Sequence, residues 1–309
     1  MENEVIIRKI VDYILLNAYS VNSSGLYNGK AGMAWALFET ARFLQDEYIE
    51  EQALELLQEA LISKTDDISF ENGLSGIGYV LLYLIKNDFI DADFDEVFKE
   101  QYEKILTSFE AQKKNPDALL NLILINYFLF ESKQYHSDDE RIADAIKNIF
   151  EANELYLATH FFDFRDIHYV NNKTTVLSKF NTYLKIVYDC KYGDYSRVVL
   201  NDYADLYRSG RLISSYLSAY YLHKFNDLGK YCDVITDNKQ YSVLVNASLR
   251  NHIDFSKSDK FINQLLKNKE KNFEKKILAL IPSGTYIAGY EQGLSRLLIY
   301  LTNKSANLV

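Results

Sequence analysis

Ser24-Gly-Leu-Tyr-Asn-Gly-Lys-Ala-Gly-Met33 and Phe70-Glu-Asn-Gly-Leu-Ser-Gly-Ile-Gly-Tyr79 are two versions of one phrase. Each carries a G-x-x-G pair, Gly29/Gly32 and Gly73/Gly76, and the second pair follows the first by 44 residues. A third version, Gly289-Tyr-Glu-Gln-Gly-Leu-Ser-Arg296, places Gly293 another 220 residues on, five further steps of 44. A period of this size belongs to a helical hairpin repeat. Steps of 44 from Gly29 fall at 73, 117, 161, 205, 249 and 293, so seven units account for nearly all 309 residues.

The same register tells what to expect between the glycines. Near 117 stands Asn115-Pro-Asp-Ala118, a helix-start signal, followed by the apolar run Ala118 to Phe130, read as one helix. Near 205, Leu206 to Ser215 reads as a loop containing Gly210, ahead of Tyr216 to Phe225. The units near 161 and 249 have no loop glycines. For the middle of the chain, about Glu131 to Asp194, the sequence does not decide whether hairpins stay regular, and Asn171-Asn-Lys-Thr174 reads as either a helix start or a flap.

The two helices of a unit differ in kind. Val5 to Leu16, Ala53 to Leu61 and Phe94 to Phe109 set apolar residues at i, i+3, i+4 and i+7 with charges between, as surface helices do. Met33 to Leu44, Ile77 to Ile85 and Ala118 to Phe130 are apolar on most faces and belong inside. Outer amphipathic helices alternating with inner apolar ones predict an all-α fold: an α/α toroid of about seven hairpins, a single domain over 1–309.

Composition agrees. With 48% hydrophobic and 25% charged residues the chain is of globular type, and only 2 prolines favour a mainly helical chain with few long loops. The net charge of −9, without a basic cluster, argues against a nucleic-acid partner. Cys190 and Cys232 make neither a disulfide scaffold nor a C-x-x-C motif, so a reducing, cytoplasmic setting is expected. The N-terminus lacks the basic and apolar regions of a signal peptide. No apolar run approaches the roughly 20 residues of a membrane span.

The glycines read as structural. Gly29, Gly73, Gly210 and Gly293 permit tight turns before inner helices, and Gly32 and Gly76 permit close approach of a neighbouring backbone. A dinucleotide fingerprint is absent. Beside them a polar theme repeats, Tyr27-Asn28, Glu71-Asn72 and Glu291-Gln292, at loops a toroid would gather around its central cavity. Glu71 and Glu291 read either as helix N-terminal caps or as a carboxylate pair for acid/base hydrolysis.

Gly25-Leu-Tyr-Asn-Gly-Lys-Ala-Gly32 and Asn72-Gly-Leu-Ser-Gly-Ile-Gly78 resemble the lanthionine synthetase C-like family, and the resemblance spans the chain. It implies a toroid of seven outer and seven inner helices and a role in maturing ribosomally made peptides. Family members that cyclise such peptides hold zinc with two Cys and one His in motifs resembling W-C-x-G and C-H-G, where thiolate and imidazole ligands leave a position for a substrate thiolate. Neither motif occurs here. If Gly210 matches the first motif, Arg208 stands in place of Cys; if position 249 matches the second, Ala247 and Ser248 replace Cys and His.

The expectation is therefore a toroid without zinc or another cofactor, binding a precursor peptide or a peptide-modifying enzyme through rim residues Tyr27, Asn28, Glu71, Asn72, Arg208, Glu291 and Gln292, with no catalytic residue assigned. One alternative is an active cyclase recruiting Cys190 and Cys232, which lie 42 residues apart but off the glycine register. Others are a carbohydrate-active hydrolase built on Glu71 and Glu291, and an interaction module exploiting the 25 tyrosines. The histidines His136, His160, His168, His223 and His252 form no ligand-spaced pair and read as surface or loop residues, although His160 and His168 flank an acidic segment that would suit a polar site at the toroid mouth.

Overall fold

The computed structural model describes residues 2–160, 169–208, 286–291 and 293–303, and these contain helices and no strand. The helices are α1 (Glu2–Ala18), α2 (Lys30–Leu44), α3 (Glu47–Leu61), α4 (Leu74–Lys86), α5 (Phe94–Gln112), α6 (Pro116–Asn121), α7 (Asn126–Tyr135), α8 (Glu140–His160), α9 (Tyr169–Asp189), α10 (Arg197–Arg208) and α11 (Leu294–Thr302). None of them is long and apolar enough to cross a membrane. The chain divides into two compact units, one of residues 1–108 with 255–309, the other of 109–254.

In the first unit α2 and α4 are buried on every face: α2 without interruption from Ala31 to Ala41, α4 from Leu74 to Leu82 and again at Leu84. By contrast α3 buries one stripe, Ile49, Ala53, Leu56, Leu57 and Ala60, as its 3.6-residue pattern demands. It starts where the Asp46 carboxylate accepts from the Ile49 N–H at 3.3 Å, with Glu47 and Glu50 in the first turn favoured by the helix dipole. C-terminal α11 packs against α2 and α1, so the last repeat lies beside the first.

Repeat-equivalent positions meet in this unit. Trp35 is fully buried, stacked on Tyr290 at 5.1 Å and against Tyr83 at 4.6 Å between ring centres. Near the far ends of α2, α4 and α11 the buried carboxylate of Glu39 accepts from the Tyr83 hydroxyl and, at 3.1 and 3.2 Å, from the Asn303 amide. Residues 39, 83 and 303 occupy one position of the 44-residue register. Burial raises the Tyr83 hydroxyl pKa, and the Glu39 carboxylate raises it further.

The second unit packs α8 against α6, α7, α9 and α10. As the sequence signals, α6 begins at Asn115, whose Oδ1 accepts from Asp117 N–H at 3.2 Å and Ala118 N–H at 3.4 Å, with Pro116 in the first turn. Ala118 to Phe130 is not one helix, however. It breaks into α6, a 3₁₀ turn at Ile123–Ile125 and α7. The buried Asn126 amide donates to Ile123 O at 3.0 Å, a side-chain bond that competes with the helical ladder. The loop expected over Leu206 to Ser215 is also corrected at its start: the amphipathic run of α10 carries the helix through Arg208. Asn171 to Thr174 lie within α9. The loop positions at 161 and 249, with Gly210 and residues 216–225, fall outside the described residues.

Candidate functional site

Three loops of the first unit share one plan. The inner helices α2, α4 and α11 start at Gly29, Gly73 and Gly293, each extended, with φ of −131°, −111° and −105°. The first helical N–H reaches back seven residues in every copy: Lys30 to Ser23 O at 3.0 Å, Leu74 to Asp67 O at 2.8 Å, Leu294 to Ile287 O at 2.7 Å. Ser75 and Ser295 donate their buried hydroxyls to Ile68 O at 2.7 Å and Ala288 O at 2.5 Å. In the second copy Asp67 accepts from Ser69 N–H at 2.8 Å, closing the turn that precedes Phe70.

Close approach explains the second glycine of each pair. A Cβ on Gly76 would sit 2.1 Å from Phe70 O and 2.9 Å from Leu26 Cβ; one on Gly32 would sit 2.0 Å from Leu26 O and 2.8 Å from Tyr290 Cβ. Leu26, Phe70 and Tyr290 are register equivalents, so each glycine receives the preceding repeat's loop residue, the last repeat docking on the first as the first docks on the second.

Main-chain bonds then tie the three loops together. Tyr27 N–H donates to Glu71 O at 2.7 Å, while Tyr27 O accepts from Tyr290 N–H at 2.6 Å and Glu291 N–H at 3.1 Å. The Tyr27 ring lies 6.4 Å from Phe70 and 6.3 Å from Tyr290, and the Arg296 guanidinium lies 5.2 Å over Tyr290. Asn28 Oδ1 is a buried acceptor with no hydrogen-bond partner, 2.7 Å from where a Cβ on Gly289 would stand. The exposed Asn72 has its backbone against Gly25, where a Cβ would come within 2.3 Å of Asn72 Cα.

Tyr27, Asn28, Glu71, Asn72 and Glu291 thus share one face of the first unit. Gln292 lies outside the described residues; Arg208 ends α10 in the second unit and its side chain is not described. Asp67 and Arg296, which the repeated motif does not single out, join this face.

The electrostatics are those of a crowded acidic rim. Burial raises the Glu71 pKa, and the neighbouring carboxylates of Asp67 and Glu291 raise it further. Burial raises the Tyr27 hydroxyl strongly, with Glu71 adding to the effect and Arg296 opposing it. Neither glutamate caps a helix, for the N-caps of α4 and α11 are Gly73 and Gly293, without a side-chain cap bond. The capping reading of Glu71 and Glu291 is thereby corrected: both stand two residues ahead of the glycine that takes the N-cap position.

A sign follows for pH. Glu71 has a raised folded-state pKa, so its contribution favours folding below the ordinary carboxyl value of 4.5 and is lost as pH rises through the folded pKa. Glu71→Gln is therefore expected to match the parent near pH 4 and to exceed it in stability near pH 7. Urea titrations of both chains at the two pH values check this; a stability difference independent of pH overturns it.

In the second unit, burial pushes the Cys190 thiol up to about 12, so it is a poor source of thiolate. Beside it Lys185 pairs with Asp189 at 2.9 Å, and Tyr127 donates to Asp189 at 2.7 Å. Glu154 accepts from Tyr183 at 2.6 Å and Ser196 N–H at 2.7 Å, its pKa raised by burial. No group of three or more His, Cys, Asp or Glu among the described residues is arranged to hold a metal. Cys232, His168, His223 and His252 fall outside those residues.

A family model described as lanthionine synthetase C-like protein matches residues 6–175, more than half of the chain. No curated protein and no solved structure matches it.

Proposed function

The chain belongs to the lanthionine synthetase C-like family, and from that premise we propose that it serves the maturation of a ribosomally made peptide without cyclising it, binding the precursor or a peptide-modifying enzyme. The proposed architecture is a single α/α toroid over 1–309. It is supported by the docking of the last repeat on the first, the return that a closed ring of repeats requires. The proposed setting is cytoplasmic, in keeping with Cys190 as a free thiol.

One observation carries the binding role: the loops of the first, second and last repeats bring Tyr27, Glu71 and Glu291 to one face, joined by main-chain bonds that hold it ready for a ligand. The zinc-free reading is supported by the register: if it holds at Gly210 and at position 249, Arg208 and Ala247 stand where the two motifs carry Cys, and neither side chain offers a lone pair.

A second reading has its own observation. Glu71, whose pKa burial raises, has Glu291 among its neighbours, and acid/base hydrolysis uses two neighbouring carboxyl groups. One experiment separates the two. Peptides containing Ser, Thr and Cys, selected on the parent chain from a display library, are titrated against Glu71→Gln and Glu71→Ala/Glu291→Ala, and the same proteins are assayed on a glycan panel. The binding role expects about tenfold weaker peptide binding in the double variant. Unchanged affinity overturns it, and hydrolysis abolished by Glu71→Gln establishes the second reading.

A further inference from the structure

A groove runs along the flank of α3, between that helix and α5, on a part of the first unit that the loop cluster does not use. Its upper part is a cavity of ≈ 630 Å³ floored by Phe38, Leu54, Leu57, Leu81, Phe89 and Val97. Past Gln58, Leu61 and Val97, which line both parts, it continues into a second cavity of ≈ 680 Å³ that reaches Ile62 and Leu74. The whole follows α3, whose 15 residues extend about 22 Å, four helical turns. Leu54 and Val97 are 41% and 37% exposed, so the floor stands open to water.

The walls are fixed at both ends. At the lower end Gln101 donates to Leu61 O at 3.2 Å and Lys104 to Thr65 O at 2.8 Å. At the upper end Arg42 donates to Asn87 O at 2.7 Å and Asp88 O at 2.8 Å, with its guanidinium 3.4 Å over the Phe89 ring. A groove held this way pays little ordering entropy when something enters it.

Its charge selects the occupant. Glu47, Glu50, Glu51 and Asp91 rim the upper part and Glu100 the lower, and none has an ion-pair partner among the described residues. The dipole of α3 accounts for Glu47 and Glu50 in its first turn, but not for Glu51, Asp91 or Glu100. Lys104 is spent on Asp66, which leaves Lys64 as the unpaired cation of the lining. An apolar floor about four turns long, walled by unneutralised carboxylates, complements a helix with an apolar stripe flanked by lysine or arginine. An anionic membrane surface would be repelled by the same rim.

We propose that the groove between α3 and α5 docks a basic amphipathic helix of a partner protein. The site rests on other residues than the peptide-binding face and stands whether or not that reading does.

The test uses the full chain and a fluorescein-labelled synthetic helix of about 18 residues with leucines at i, i+3, i+4 and i+7 and lysines beside them. Its controls are the same peptide with every Lys replaced by Glu and a scrambled sequence of the same composition. Anisotropy titrations are expected to show saturable binding of the basic helix and at least about tenfold weaker binding of both controls. Leu54→Ser and Glu51→Lys/Glu100→Lys are each expected to weaken it about tenfold, at an unchanged thermal midpoint, because all three positions are exposed and neither glutamate stands in the first turn of its helix. Equal binding of basic and scrambled peptides overturns the proposal, as does indifference to the substitutions. A midpoint shifted by Leu54→Ser in the chain alone does so too, for it means the groove is filled from within.

Discussion

A Gly32→Ala chain is expected to lose about 3 kcal/mol of stability, for the sake of one methyl group. The new Cβ would lie 2.0 Å from Leu26 O, a main-chain atom, and 2.8 Å from Tyr290 Cβ. Neither can withdraw cheaply. The carbonyl belongs to a turn closed by Lys30 N–H to Ser23 O and Ala31 N–H to Ser24 O, and Tyr290 is itself anchored by its N–H on Tyr27 O and its ring on Trp35. Gly76→Ala meets Phe70 O at 2.1 Å and Leu26 Cβ at 2.9 Å, and a similar loss is expected. Gly193 has nothing within 4 Å of an added Cβ, so Gly193→Ala should stay within about 0.5 kcal/mol of the parent. Urea midpoints of the three variants decide; equal midpoints for Gly32→Ala and Gly193→Ala would remove the close-approach argument.

The second large effect lies at the buried end of the inner helices. Glu39 is 3% exposed, and its donors are the Tyr83 hydroxyl and the Asn303 amide. Tyr83→Phe alone should cost about 1–3 kcal/mol, the loss of a hydrogen bond to a buried charged acceptor. Tyr83→Phe with Asn303→Leu strands the carboxylate and should cost about 3–5 kcal/mol. Adding Glu39→Leu should recover much of that, because an apolar trio asks nothing of its neighbours. Chemical denaturation of the single, double and triple variants tests the order. A triple variant no more stable than the double would show that bulk, rather than the stranded charge, sets the cost.

These two sites differ in how plainly the sequence announces them. The loops were legible because the chemistry that needs glycine leaves glycine behind: Gly29, Gly73 and Gly293 recur in register, and each starts an inner helix. The outer and inner kinds of helix were legible from periodicity for α1 to α5, since burial on one face or on all faces is written into spacing. The break inside Ala118 to Phe130 was not, because it depends on which carbonyl the Asn126 amide finds once folded. Nor did the pattern of Glu71 and Glu291 reveal that glycines, rather than those side chains, hold the N-cap positions.

The Glu39, Tyr83 and Asn303 cluster follows the same register, but each member is an ordinary residue in its own segment. Stepping from 39 by the same interval lands on 83 and 303, three polar residues at one level of otherwise apolar helices. Their chemistry is complementary only across repeats, so no single segment looks unusual.

The pairing of chain ends also sets a timetable. Tyr290 seals the loop of the first repeat and Asn303 supplies a donor to Glu39, 264 residues away in sequence. As the chain leaves the ribosome from its N-terminus, the first repeat emerges with its glycine notch empty and a carboxylate short of a donor, and waits while the rest is translated. Completion of the first unit thus follows synthesis of residues 290–303, and Gly32 and Glu39 reach their final surroundings long after they are made.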